Sequence, residues 1–295
     1  MYDRILLVGN RGMLAHAVQR SLARRGLAHV GADHDVCNIT DATSVIQTFE
    51  RVKPTLVINC AAYTAVDKAE QEEALATRVN GEGAGHLADA CRDHSAVLVH
   101  YSTDFVFNGR GERPYREDDK PDPVSAYGRS KLAGEVAIEQ SGLADWLLLR
   151  TAWLYGPAGE GGGRPFPKVI LDAARAGKPL RVVNDQHGSP TFTFDLVEAT
   201  FALLDASARG LFHVTNGGQT TWFEFAKAIC ECFHVTPAEL SPIRSEEWAK
   251  MKPDSATRPA YSVLDLSRVE QAIGRPMRPW DKALRDYCAL TAAAP

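Results

Sequence analysis

Tyr127 and Lys131 are the residues whose types and spacing most suggest chemistry. They stand four apart, so on a helix both side chains share one face. Of eight tyrosines, only Tyr127 has a lysine four residues on. A phenol with a pKa near 10 is a poor acid at neutral pH. A neighbouring ammonium favours phenolate and brings the pKa nearer the working range. Upstream, the apolar run VLVHY (97–101) ends in Ser102, Thr103 and Asp104. The Thr103 hydroxyl at that strand end can hydrogen-bond a substrate oxygen. The chemistry that suits these groups is hydride transfer from a nicotinamide to a ketone carbon, with Tyr127 protonating the developing alkoxide. Lys131 can at the same time bond a ribose hydroxyl of the cofactor. Tyr-x-x-x-Lys alone arises often by chance, so its weight comes from what surrounds it.

A nucleotide site is the first requirement. The run RILLVG (4–9) reads as a parallel strand covered on both faces, and GNRGMLA follows it. Gly9, Gly12 and Ala15 keep the spacing G-x-x-G-x-x-G, with alanine at the third place. Such a turn brings backbone N–H groups to a pyrophosphate at a helix N-terminus, here the helix opened by Met13 and Leu14. A second short strand (28–32) ends at Asp33, placed to take a ribose 2′-hydroxyl, which favours NADH. Arg11, inside the turn, suits a 2′-phosphate and favours NADPH. The two signals conflict, so NADPH and NADH both stay open. The segment Asn38–Asp41, with Asn38 and Ile39 foremost, is expected along the adenine. The strand LVINC (56–60) ends in Ala61, Ala62, Tyr63 and Thr64, and its small residues leave room for a cofactor.

The elements that position these groups alternate. Further strands are expected at 97–101, 146–150, 180–183 and 211–214. Helices are expected at 77–93, from Ser125 as cap, and at 195–204, 222–233, 266–273 and 279–290. This is an α/β protein with a Rossmann-like doubly wound parallel sheet and a smaller C-terminal substrate-binding lobe. Residues 1–150 would form the dinucleotide-binding domain, with 180–215 returning to it. Residues 151–179 and 216–295 would form mainly the substrate lobe. The stretch PAGEGGGRPFP is glycine-rich and reads as mobile.

Composition excludes little but helps. A formal charge of −4 with no basic run argues against nucleic acid. Apolar runs are strand-length, too short to span a bilayer, and the N-terminus enters a strand without a signal-peptide layout. Six scattered cysteines read as reduced thiols in a cytoplasmic protein, and Cys230-x-Cys232 lacks zinc spacing. A homodimer is allowed, but no apolar stripe singles out its face.

Taken together, GNRGMLA, CAAYTAVDKAE, YSTDFVFNG, YGRSK, RTAWLYG, DQHGSPT and RPAYSVLD resemble the extended short-chain dehydrogenase/reductases. Within them they resemble the dTDP-4-dehydrorhamnose reductase family, in the same order from about residue 4 to residue 285. AYTAVDKAE and STDFVFNG are far more specific than the glycine turn. The resemblance implies reduction of the C4 ketone of dTDP-4-dehydro-L-rhamnose by NADPH or NADH, the last step to dTDP-L-rhamnose. It implies Thr103, Tyr127 and Lys131 as the catalytic triad. It implies cofactor contacts from Gly12, Met13, Leu14, Asp33, Asn38, Ile39, Ala62, Tyr63, Thr64, Tyr101, Tyr127 and Lys131, beside the Gly9, Arg11 and Ala61 expected from the turn and strand end. Thr103, Asp104, Trp153, Gln186 and Arg258 are implied on the sugar-nucleotide side. Some members hold magnesium at a dimer interface through glutamates; Ala15 stands at one such position, so no metal is expected. The glycine-rich 159–163 stretch departs from the pattern and is expected to affect access to the sugar pocket. Two other readings stay in view: a non-catalytic regulatory member, and a reductase or epimerase of another nucleotide sugar.

Overall fold

The structure is a computed structural model and describes residues 2–292. Six strands, β1 (Ile5–Val8), β2 (His29–Ala32), β3 (Leu56–Asn59), β4 (Val97–Thr103), β5 (Trp146–Thr151) and β6 (Gly210–His213), form one sheet. Its order is β6-β5-β4-β3-β1-β2, and every pairing is parallel. The chain leaves β1 for β2 on one side and returns to β3 on the other. The carboxyl ends of β1 and β3 therefore flank a topological switch point, where ligands bind in such sheets.

The apolar runs explain this arrangement. Alternate residues of one strand point to opposite faces. Leu6, Val8, Val57, Leu98 and Leu148 pack with residues of the helices Ala42–Val52, Gly83–Asp93 and Ala126–Gln140. Ile5, Leu7, Ile58, Val99 and Leu149 pack with the helices Met13–Arg24 and Thr193–Asp205 on the other face. Two cores on one sheet need strands that are apolar throughout, as ILLV and LVIN are. Each fully buried aliphatic side chain contributes roughly 1.5–3 kcal/mol.

Two departures bear on the site. The single helix expected over 77–93 is interrupted: Arg78–Glu82 forms a π-helical turn between Glu73–Thr77 and Gly83–Asp93. Such turns often mark functional places, and this one turns Asn80 inward. The expected return of 180–215 to the nucleotide sheet begins later. Leu180–Val183 pairs instead with Leu240–Ile243, because Leu180 and Val182 belong to a third core. The return starts with the Thr193–Asp205 helix and β6. That third core joins Tyr155, Ile170, Phe192, Phe225, Ile229, Leu284 and Tyr287 beneath the C-terminal helices. Among the described residues, no helix is long and apolar enough to cross a membrane.

Candidate active site

The glycine turn sits at the switch point. Gly9 has φ +74°, which side-chain-bearing residues rarely adopt, and a Cβ there would collide with the backbone of Ala61. Gly12 closes the turn by donating its N–H to the Gly9 carbonyl (3.1 Å) and caps the Met13–Arg24 helix. No side chain caps that N-terminus and its first turn holds no acid. The N–H groups opened by Met13 and Leu14 therefore remain available to an anion. Ala15 is fully buried and seats the helix on the sheet.

Arg11 and Asp33, which pull cofactor choice in opposite directions, are one unit here. The Arg11 backbone N–H donates to Asp33 Oδ1 (3.1 Å), and its Nε lies 3.3 Å from Oδ2. An acceptor for a ribose hydroxyl and a cation for a phosphate thus stand side by side at the end of β2. Asn38 builds a local turn, its Oδ1 accepting from the N–H and hydroxyl of Thr40. Ile39 is buried, with its carbonyl against His86 Nδ1 (2.8 Å). Beyond β3, the Ala61 N–H donates to Asn59 Oδ1 (3.0 Å). Asn80, on the π turn, holds both the N–H and the carbonyl of Tyr63. The Tyr63 phenol donates to Glu72 (2.7 Å), and Thr64 is exposed. The glycine-rich stretch lies against the Gly9–Gly12 turn. The Gly161 N–H donates to the Arg11 carbonyl (2.9 Å). Gly159 approaches the Arg11 and Gly12 carbonyl oxygens so closely that a Cβ there would collide with both.

Serine and glutamate fix the second half of the site. Ser125 accepts from the Gly128 N–H (3.1 Å) and Glu70 accepts from the Ala126 N–H (2.9 Å), which starts the Ala126–Gln140 helix just before Tyr127. Asn80 reaches this helix too, donating to Ser130, whose hydroxyl donates to the Tyr127 carbonyl (2.7 Å). Burial pushes Tyr127 up to about 12, the Asp104 carboxylate adds to this, and the Thr103 hydroxyl opposes it. The expected downward shift by Lys131 is thus reversed, because the lysine is turned elsewhere. Its Nζ donates to the Tyr101 carbonyl (2.6 Å) and lies 3.4 Å from His100 Nε2. A phenol held so high stays protonated at neutral pH, as a proton donor must. Burial brings Lys131 down to about 8, against an upward pull from Glu135. Tyr101 serves through that carbonyl; its phenol is in the core, 3.2 Å from the Thr200 hydroxyl.

On the substrate side, Asp104 is 1% exposed and is pushed up to about 6 by burial. Its Oδ1 accepts from the Thr103 hydroxyl (3.0 Å), while Oδ2 has no hydrogen-bond partner. The nearby Ser262 hydroxyl is turned to the His187 carbonyl (3.4 Å). Trp153 follows β5, whose Thr151 is in register with Thr103. Its φ is +48°, and its ring stacks on Trp222 with centroids 3.6 Å apart and planes 11° apart. Gln186 and Arg258 are already engaged: Gln186 Nε2 donates to Ser245 (2.9 Å), and Arg258 donates to Asp67 (2.8 Å).

Sequence reasoning missed Asn59, Asn80, His100 and Trp222. It also missed the buried Glu135–Arg150 ion pair (2.6 Å), to which Ser102 adds its hydroxyl. Only the short stretch of polar residues in VHYST hinted at a network under the strand end.

A glycine turn at the switch point of a parallel sheet, with Thr ending its fourth strand and Tyr and Lys on the helix beyond, defines a short-chain dehydrogenase/reductase of the extended type. The family described as RmlD substrate binding domain matches residues 3–292. A dTDP-4-dehydrorhamnose reductase of Streptomyces griseus is 41% identical over 288 residues, 96% of this chain and 92% of that protein. A dTDP-4-keto-6-deoxy-D-glucose reductase of Streptomyces niveus is 39% identical over 287 residues, 96% of each. Among solved structures, a dTDP-4-dehydrorhamnose reductase from Bacillus anthracis in complex with NADP superposes with a TM-score of 0.91 at 33% identity, covering 98% of this chain and 100% of that one. The chain belongs to this family, that of the dTDP-4-dehydrorhamnose reductases.

Proposed function

We propose that the protein is an NAD(P)H-dependent reductase that converts dTDP-4-dehydro-L-rhamnose to dTDP-L-rhamnose, the last step in making that sugar nucleotide. The observation that carries this reading is Asp104 Oδ2, a buried, unpartnered acceptor beside Thr103 and Tyr127. A buried acceptor without a partner is costly, and a sugar hydroxyl would satisfy it.

The open N-terminus of the Met13–Arg24 helix fits a dinucleotide diphosphate, with Arg11–Asp33 at the ribose and Ala61–Thr64 across the crevice. When bound, the nicotinamide supplies the hydride to C4. Thr103 and Tyr127 hold the ketone oxygen. The Tyr127 O–H bond breaks and its proton goes to that oxygen as the carbon gains the hydride, which completes the alcohol. Lys131, one helical turn on, supplies the proton that restores the phenol. General acid catalysis of this kind supplies roughly 10²–10⁴-fold. The six free cysteines suit a reducing cytoplasm.

A second reading keeps the chemistry and changes the sugar, because the Streptomyces niveus relative is named for a differently configured ketone. Product analysis tests both. One equivalent of reduced cofactor should be oxidised per molecule of dTDP-L-rhamnose formed. A ketone left unreduced, or isomerised with the cofactor still reduced, would refute the proposal.

A further inference from the structure

Lys131 is enclosed by groups whose hydrogen positions can be derived. The Ala61 backbone N–H can only donate, and it points at Asn59 Oδ1 (3.0 Å). This fixes the Asn59 carboxamide, so its Nδ2 faces His100 Nδ1 (3.0 Å). An amide nitrogen only donates, so Nδ1 must accept. Burial and the charge of Lys131 keep the imidazole neutral. Its single hydrogen is therefore on Nε2, which faces Lys131 Nζ at 3.4 Å. Asn59 and His100 are register partners on β3 and β4, and both are 2% exposed, so neither reorients freely.

We propose that Asn59 and His100 are positioning residues that act on the reaction through Lys131: Asn59 fixes the His100 tautomer, and the imidazole N–H so fixed favours the neutral amine of the lysine. An ammonium at Nζ meets this N–H donor to donor. An amine accepts from it. The lysine thereby hands its proton on readily after Tyr127 has given up its own. The proton leaves Nζ, restores the phenol, and leaves an amine that His100 hydrogen-bonds.

The other groups around Lys131 do not reverse this preference. Glu135, one turn on in the same helix, would favour the ammonium, but Arg150 from β5 neutralises its carboxylate through two nitrogens. Cys60, next to Asn59 on the chain, is a partly buried thiol that desolvation keeps protonated. Tyr101, on β4, has a buried phenol likewise kept neutral, and its carbonyl accepts from Nζ (2.6 Å) whether the lysine is amine or ammonium. Tyr127 is protonated, and Asp104 lies towards Tyr127, whose proton it helps to retain.

The proposal rests on the reductase reading for its purpose but not for its test. Carbon-13 labelling of lysine allows the Lys131 Cε resonance, assigned by its loss in Lys131→Met, to be titrated in the protein alone. The wild type should show a midpoint near 8. His100→Phe removes the opposing N–H. Asn59→Asp is nearly isosteric, keeps an acceptor for Ala61, and moves the imidazole hydrogen onto Nδ1, so that Nε2 accepts from the ammonium; its charge also favours the ammonium, so the tautomer is read separately from the His100 ring-nitrogen shifts. Both variants should raise the midpoint by about a unit or more. A wild-type midpoint near that of a solvated lysine, about 10.4, would overturn the proposal. So would ring-nitrogen shifts that place the wild-type His100 hydrogen on Nδ1, which decide alone if His100→Phe does not fold. Because the titration needs no turnover, a shifted lysine in a protein that reduces no keto-sugar would refute the reductase reading and leave this assignment standing.

Discussion

The Asp104 carboxylate has one oxygen on the Thr103 hydroxyl and one on nothing. In Asp104→Asn the orphan becomes an amide or a poorer acceptor, and kcat/KM for the keto-sugar should fall about 10–100-fold. Cofactor affinity should stay within a few-fold, and equal losses in both would contradict the assignment. The acid limb gives a second check. The carboxylate form is the acceptor, and burial places its pKa at about 6 rather than below 4. Wild-type kcat/KM should therefore drop as pH falls through about 6, and this limb should vanish in the asparagine variant. The residue types of the proposed catalytic group were legible in the sequence, since Thr103, Tyr127 and Lys131 stand at helical or strand-end spacing. His100 was not, because a histidine within VLVHY reads as one more core position. The direction of the Tyr127 shift was not legible either, since spacing alone cannot show that Lys131 bonds to Tyr101.

Two short elements decide how the nucleotide half is built. The π turn adds a residue to the helical repeat and turns Asn80 inward, where it ties Tyr63 to Ser130. A hydrophobic pattern is tolerant of one extra residue, so 77–93 reads as a plain helix. The glycine-rich segment lies on the carbonyls of Arg11 and Gly12, and a Cβ on Gly159 would collide with both. Gly159→Ala should lift the segment and, because it rests on the pyrophosphate turn, weaken NADPH binding several-fold. Fluorescence titration measures this; an unchanged Kd would separate the segment from cofactor binding. Composition suggested a mobile loop here. Its place followed from close backbone approach, which no composition displays.

For the whole molecule, the parallel sheet covered on both faces followed from apolar runs alternating with helices. The placement of 180–183 did not, because the same apolar strand can serve either core. One property spans the fold: the chain keeps buried histidines neutral. Burial and Arg150 bring His213 down to about 3. The unfolded chain takes up that proton near 6.5, so stability is lost as pH falls from about 6.5 towards 3. Asp104, raised above its unfolded value, works in the opposite direction between about 6 and 3.8. His213→Gln should reduce the stability lost between pH 7 and pH 5 by about 2 kcal/mol in urea titrations. The same loss in both proteins would contradict the assignment.

The most direct measurement is the rate of NAD(P)H oxidation with dTDP-4-dehydro-L-rhamnose, for the wild type and Tyr127→Phe, with cofactor affinity measured in parallel. The wild type should turn over, and the variant should lose at least about 10²-fold in kcat while binding cofactor within a few-fold of the wild type. Near-wild-type turnover in Tyr127→Phe, or no turnover in a wild type that binds cofactor, would contradict the account.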